Sequence, residues 1–131
     1  MTQEDKELLT KDLSCRIPYG VIVNVNGISN VKLTSVSWYG EVGVDDSSTY
    51  LYPISEVKPY LFPLSSITET QCYELASICS GFQDCWKYIK TPIPLSICNF
   101  EQIDWFHKNH LDYRGLIPMG LAIDATGLNI Y

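Results

Sequence analysis

At 131 residues the chain is long enough to bury a real core as one domain, and 46% hydrophobic with 18% charged residues excludes a disordered chain. A net charge of −6 without a basic cluster argues against nucleic acid or an anionic membrane surface as partner, because both need grouped Lys and Arg. No apolar run approaches the roughly 18 residues that span a bilayer, and the acidic start Met1 to Glu7 lacks the basic-then-apolar order of a secretory signal, so a cytoplasmic location is expected.

In chain order, Thr2 to Leu13 reads as an amphipathic helix. Thr2 is placed to cap it, with Asp5 three residues on, and Leu8, Leu9 and Leu13 form its apolar stripe. Pro18 and Gly20 punctuate its end. Alternation in Val21 to Val25 and in Val31 to Thr34 flanks Asn26-Gly27, which predicts a hairpin over residues 20–35 with a type I′ turn. Val36, Trp38 and Glu41 to Val44 extend the ladder, with a bend or bulge at Gly40 or Gly43. Asp45 to Ser48 reads as a polar turn, Thr49 to Ile54 as a short strand, and Ile54 to Val57 as one helical turn.

Tyr60 to Leu64 is apolar but contains Pro63, which favours a packed connection over a central strand. Thr68 and Gln71 form a capping box that opens a second helix, with Ile67 able to staple onto Cys72 and Gly81 as a stop. Residues 82–95 fit either a helical face or a loop. Asn99 is placed to cap a third helix running to about His110, with Gly115 as its stop; Leu116 to Tyr131 is then a packed short strand or extended tail. No repeat or linker divides the chain. These readings combine into one α+β domain over residues 1–131. It has a small antiparallel sheet of three to five strands, an N-terminal helix, and two or three helices after the sheet.

Five cysteines (Cys15, Cys72, Cys79, Cys85 and Cys98) are odd in number and show no C-x-x-C spacing. Buried, reduced thiols are the expectation, with a disulfide among the middle three as the alternative. Candidate chemistry gathers in residues 103–122, which hold both histidines, one of two arginines and one of three tryptophans. Asp104, His107 and His110, with Glu101 a turn earlier, sit at helical spacings that could bring two of them to a metal. The spacing is not H-E-x-x-H and a third His is lacking, so no metal or other cofactor is assigned. A histidine at the helix end and another packed on the core is the plainer reading. No nucleophile elbow and no phosphate-cradling loop is present, and no cysteine has a basic neighbourhood that would activate it.

Asp112-Tyr113-Arg114-Gly115 reads as a helix stop in which Arg114 bridges Asp112 or the last helix carbonyls. Its functional alternative is an Arg–Tyr pair presented to a partner. Nine tyrosines and three tryptophans are many for this length, with Tyr50, Tyr52 and Tyr60 close together and Trp38-Tyr39 before them. They suit core and cross-strand packing, or an aromatic-lined groove for a peptide or small ligand.

The C-terminal block Ile103-Asp104-Trp105, His110, Asp112 to Ile117 and Gly120 to Ala122 resembles that of small proteins from gut Bacteroidetes and their phages or prophages. A weaker likeness covers Ile54 to Leu61 with Pro63, Ser65, Ser66 and Thr68, and the opening Arg16, Pro18 to Val21 also fits. The resemblance spans most of the chain except residues 72–98. It implies a mobile-element origin and an intracellular setting, and carries no activity. The leading expectation is therefore a non-enzymatic, phage-type accessory module that binds another protein. Its binding residues would be Trp105, His107, His110, Asp112, Tyr113 and Arg114. The alternative is a small metal-dependent or Cys/His enzyme centred on residues 99–115, with His107 or His110 in a cleft beside a carboxylate or thiol.

Overall fold

The computed structural model describes residues 1–46, 50–78 and 100–131. Helix α1 runs Gln3–Arg16, and Thr2 and Asp5 close a reciprocal capping box at its start. The Asp5 amide donates to Thr2 Oγ1 at 3.1 Å and the Thr2 amide to Asp5 Oδ2 at 3.2 Å. The helix continues three residues past the expected Leu13. The added turn completes an i, i+4 ion pair between Asp12 and Arg16, both fully buried. A 3-10 turn over Ile17–Tyr19 follows, with Pro18 near its start and Gly20 closing it at φ +71°.

Strands β1 (Ile22–Val25) and β2 (Ile28–Val36) form the expected hairpin. Asn26 and Gly27 take φ +45° and +85°, the positive pair that a type I′ turn requires. β2 pairs with β3 (Glu41–Val44), and β3 with the two-residue β4 (Tyr52–Pro53). The register slips between Leu33 and Ser35, so the extra residue is Thr34 on β2, facing Gly43. A Cβ at Gly43 would collide with the Ser35 side chain, which explains the glycine opposite the bulge. Trp38 does not extend the ladder as expected; it lies in the turn between β2 and β3.

Strand β5 (Val57–Pro63) overturns the reading of Tyr60 to Leu64 as a connection. It is interior to the sheet, antiparallel to β1 on one side. The prolines are accommodated by position. Asn26 donates to the Glu56 carbonyl at 3.0 Å, and alternation from there puts Pro59, opposite Val23, where no ladder bond to β1 is made. Two more two-residue strands, β6 (Leu111–Asp112) and β7 (Ile123–Asp124), run parallel to β5. The sheet is thus mixed and seven-stranded, ordered β4-β3-β2-β1-β5-β6 with β7 also on β5. That is an α+β fold with more strands than the three to five expected. The surplus strands are too short to carry a period-two signal.

After a 3-10 turn at Leu64–Ser66, α2 (Glu69–Ile78) opens on the expected capping box. The Thr68 amide donates to Gln71 Oε1 at 3.0 Å, and the Gln71 amide to Thr68 Oγ1 at 3.2 Å. The Ile67–Cys72 staple, the Gly81 stop, the reading of residues 82–95 and the cysteines beyond Cys72 lie outside the described residues. Cys15 is an exposed free thiol, against the expectation of burial, because α1 turns its other face to the core.

Helix α3 (Phe100–Lys108) ends two residues before the expected His110. His110 itself takes φ +55° and its amide returns to the His107 carbonyl at 3.1 Å. His110, not Gly115, therefore turns the chain out of the helix and into β6. Two apolar clusters result. One packs α1 (Leu9, Leu13) on the sheet (Val23, Val42, Val57, Leu61) and on Leu116 and Leu121 from the tail. The other gathers Leu64, Leu75, Trp105, Phe106, Leu111 and Tyr113 between β5, α2 and α3.

Candidate functional site

The residues singled out around α3 lie at the seam between the two clusters. Asp12 of α1 is its hub. Arg16 Nε donates to Asp12 Oδ2 at 2.7 Å, Arg16 Nη2 to Oδ1 at 3.2 Å, and Arg114 Nε to Oδ1 at 3.0 Å. Arg16 Nη2 also donates to the Leu111 carbonyl at 2.8 Å. Arg114 therefore reaches across the chain to Asp12, and not to Asp112 as expected. Asp112 is already committed: its carboxylate accepts the amides of Leu116 at 2.8 Å and Ile117 at 2.9 Å, closing the turn on which Arg114 sits. Two guanidiniums flank the Tyr113 ring, with Arg16 Cζ 5.3 Å and Arg114 Cζ 5.1 Å from its centroid.

His107 is 3% exposed, and its Nε2 lies 2.6 Å from the Tyr113 hydroxyl. Burial, with Arg16 nearby, holds its pKa down to about 4, so the ring is neutral at pH 7. Burial also pushes the Tyr113 phenol up, so His107 and Tyr113 meet as neutral partners. His110 is half-buried and stacks flat on Tyr131, with centroids 3.6 Å apart at 10°. Its pKa is likewise lowered to about 4 by burial and then by Arg16. Trp105 is buried edge-on against Phe106. Among the described residues neither imidazole pairs with a carboxylate, and no three of His, Cys, Asp and Glu converge on a possible metal position. The structure thus brings His107, Tyr113 and Arg114 together with Asp12 and Arg16. It leaves His110 on the tail side, and encloses Trp105 and Asp112.

A groove of about 600 Å³ opens beside His110 and Tyr131, with Thr68, Gln71 and Asn109 on its walls. Most of its polar groups already have work. Thr68 and Gln71 cap α2, and Asn109 Nδ2 donates to the Trp105 carbonyl at 2.9 Å. His110 Nδ1 is buried without a protein partner.

The Trp38-Tyr39 pair, one of the aromatic groups that suit either packing or a groove, sits on the turn Ser37 to Glu41, outside the C-terminal block. Trp38 there is 90% exposed and Tyr39 60%, and their rings meet edge to face at 5.4 Å and 88°. The turn is rigidly built. Ser37 Oγ accepts the Glu41 amide at 2.9 Å and donates to the Glu41 carbonyl at 3.1 Å, while the Ser37 amide donates to that carbonyl at 2.9 Å. Gly40 takes φ +88° and its carbonyl accepts the Ile54 amide at 2.8 Å. Ser and Gly bracketing two aromatics was the available signal: such residues make turns, and turns lie at the surface.

Between this turn and the polar face of α1 lies an open groove of about 810 Å³. Its helix wall carries Lys6, Glu7 and Lys11; its other wall carries Trp38, Tyr39 and Glu41. Among the described residues Lys6, Lys11 and Glu41 form no ion pair within the chain. No family model, curated protein or solved structure matches the chain.

Proposed function

We propose that the chain is a non-enzymatic protein-binding module, of the accessory type carried by phages and prophages of gut Bacteroidetes. Its partner is a protein, taken at the groove beside Trp38 and Tyr39, and it works in the cytoplasm without a cofactor. The observation that carries this reading is Trp38, 90% exposed on a turn held in place by the hydrogen bonds of Ser37, Gly40 and Glu41. Exposed apolar surface beside a concave surface favours association, and Trp and Tyr are the residues on which binding energy concentrates. A turn already ordered gives up little further entropy on binding. The charge of −6 and the lack of a basic cluster favour a protein over nucleic acid or membrane. The accessory assignment rests on the resemblance of the Ile103 to Ala122 block.

The test is affinity capture with wild type, Trp38→Ala and, as a surface control, Lys58→Ala. Loss of the captured partner with Trp38→Ala alone is the expected result. Capture of the same partners by a Trp38→Ala chain of unchanged melting temperature would remove the groove from the interface.

A further inference from the structure

We infer that the occupant of this groove is a second copy of the chain, docked about a two-fold axis with each Trp38 in the other's groove. The inference rests on the reading of the groove as a protein-binding site. The first ground is that knob and hole share one patch. Trp38 stands proud of the surface while also bordering the groove of about 810 Å³. A surface with a projection beside its own complementary recess is self-complementary, which a closed two-fold dimer requires. An open groove of that size has room for an incoming indole and its neighbour.

The second ground is charge. The projecting turn carries Glu41, whereas the helix wall carries Lys6 and Lys11 against Glu7. When the turn of one copy enters the groove of the other, its Glu41 comes to the wall of Lys6 and Lys11, and the reverse contact forms at the same time. None of these three residues has an ion-pair partner within the chain among the described residues. Two chains of net charge −6 repel at most faces, but this lining carries two cations against two acids, Glu7 and Glu41, and is neutral.

The test is sedimentation equilibrium across a concentration series, using wild type, Trp38→Ala, Glu41→Lys and the double variant Lys6→Glu/Lys11→Glu. Wild type is expected to approach twice the chain mass, and each variant alone to stay at the single-chain mass. Mixing the Glu41→Lys chain with the double variant restores opposite charges at both reciprocal contacts and is expected to recover the dimer. A wild type that stays monomeric throughout overturns the inference, as does a dimer that survives both Trp38→Ala and charge reversal. If wild type is monomeric but Trp38→Ala still loses a captured heterologous partner, self-docking fails while the protein-binding groove stands.

Discussion

The block from Ile103 to Ala122 and the turn from Ser37 to Glu41 are built from opposite materials and put to opposite uses. The first concentrates histidine, arginine, tyrosine and aspartate, then turns most of them inward, where His107, Tyr113, Arg114 and Asp112 are matched to partners inside the chain. The second has no unusual chemistry, only an aromatic pair between Ser and Gly, and it faces outward. The difference lies in what burial does to a polar group. A buried Asp or Arg must be satisfied or the fold is penalised, so such groups hold elements together. An exposed Trp adds nothing to folding and keeps its apolar surface for an encounter.

The comparison can be broken hardest at Asp12. Asp12→Ala removes the carboxylate that, among the described residues, is the one bound to Arg16 and Arg114, leaving Arg16 buried without that counter-charge. We expect a loss of roughly 3–5 kcal/mol in urea denaturation. A loss below 1 kcal/mol would mean that the seam is wet and the network peripheral.

Acid comes next. His107 and His110 ordinarily titrate near 6.5 but are held at about 4 in the fold. The unfolded chain therefore binds more protons between those values, and stability falls as pH drops from 6.5 toward 4. It is fully present above 6.5. The buried His107 contributes on the order of 3 kcal/mol to this loss, and the half-buried His110 less. Melting temperature measured against pH checks it, and a flat profile across that window would contradict the burial of both rings. His107→Phe should flatten most of the slope.

Tyr131 tests the tail. Its hydroxyl donates to the Tyr60 carbonyl at 2.8 Å and accepts the Ile22 amide at 2.9 Å, tying the tail to β1 and β5. Tyr131→Phe keeps the stack on His110 and removes that bridge, for a cost of about 1 kcal/mol. The smallest effect on stability is expected at the turn. Trp38→Ala should change unfolding free energy by less than about 0.5 kcal/mol, yet weaken association by more than about 2 kcal/mol, roughly thirty-fold. A Trp38→Ala chain that loses stability as well would erase the contrast between the two regions.

What the residues themselves disclosed followed from local rules. The Thr2–Asp5 and Thr68–Gln71 boxes, the Asn26-Gly27 hairpin and the 3-10 turn at Ile54 all depend on neighbours a few positions apart. The α+β class follows from them. The misread parts depend on distant partners. Pro59 fits a central strand only because Val23 meets it between ladder bonds, and β6 exists only because β5 lies alongside. Arg114 has an acid two residues away, but Asp12 from the first helix claims it while amides occupy Asp112. From residue types alone Trp38-Tyr39 fits core packing as well as a ligand groove, for a related reason. Rare residue types drew attention to the C-terminal block, although exposure, not rarity, separates a side chain free to meet a partner from one already spoken for.

The bond from Arg114 to Asp12 joins residues 102 positions apart, and that separation has a consequence for how the protein is made. During synthesis α1 and the β1–β2 hairpin are both made well before Arg114, and both can form from nearby contacts. Asp12 already has Arg16 on its own helix, but the pair completes its bonds only with Leu111 and Arg114, 95 and 102 positions away. Contacts of such long sequence separation are the ones whose closure slows folding. A nascent chain stalled before Leu111 would hold Asp12 and Arg16 without the two distant partners that complete the seam.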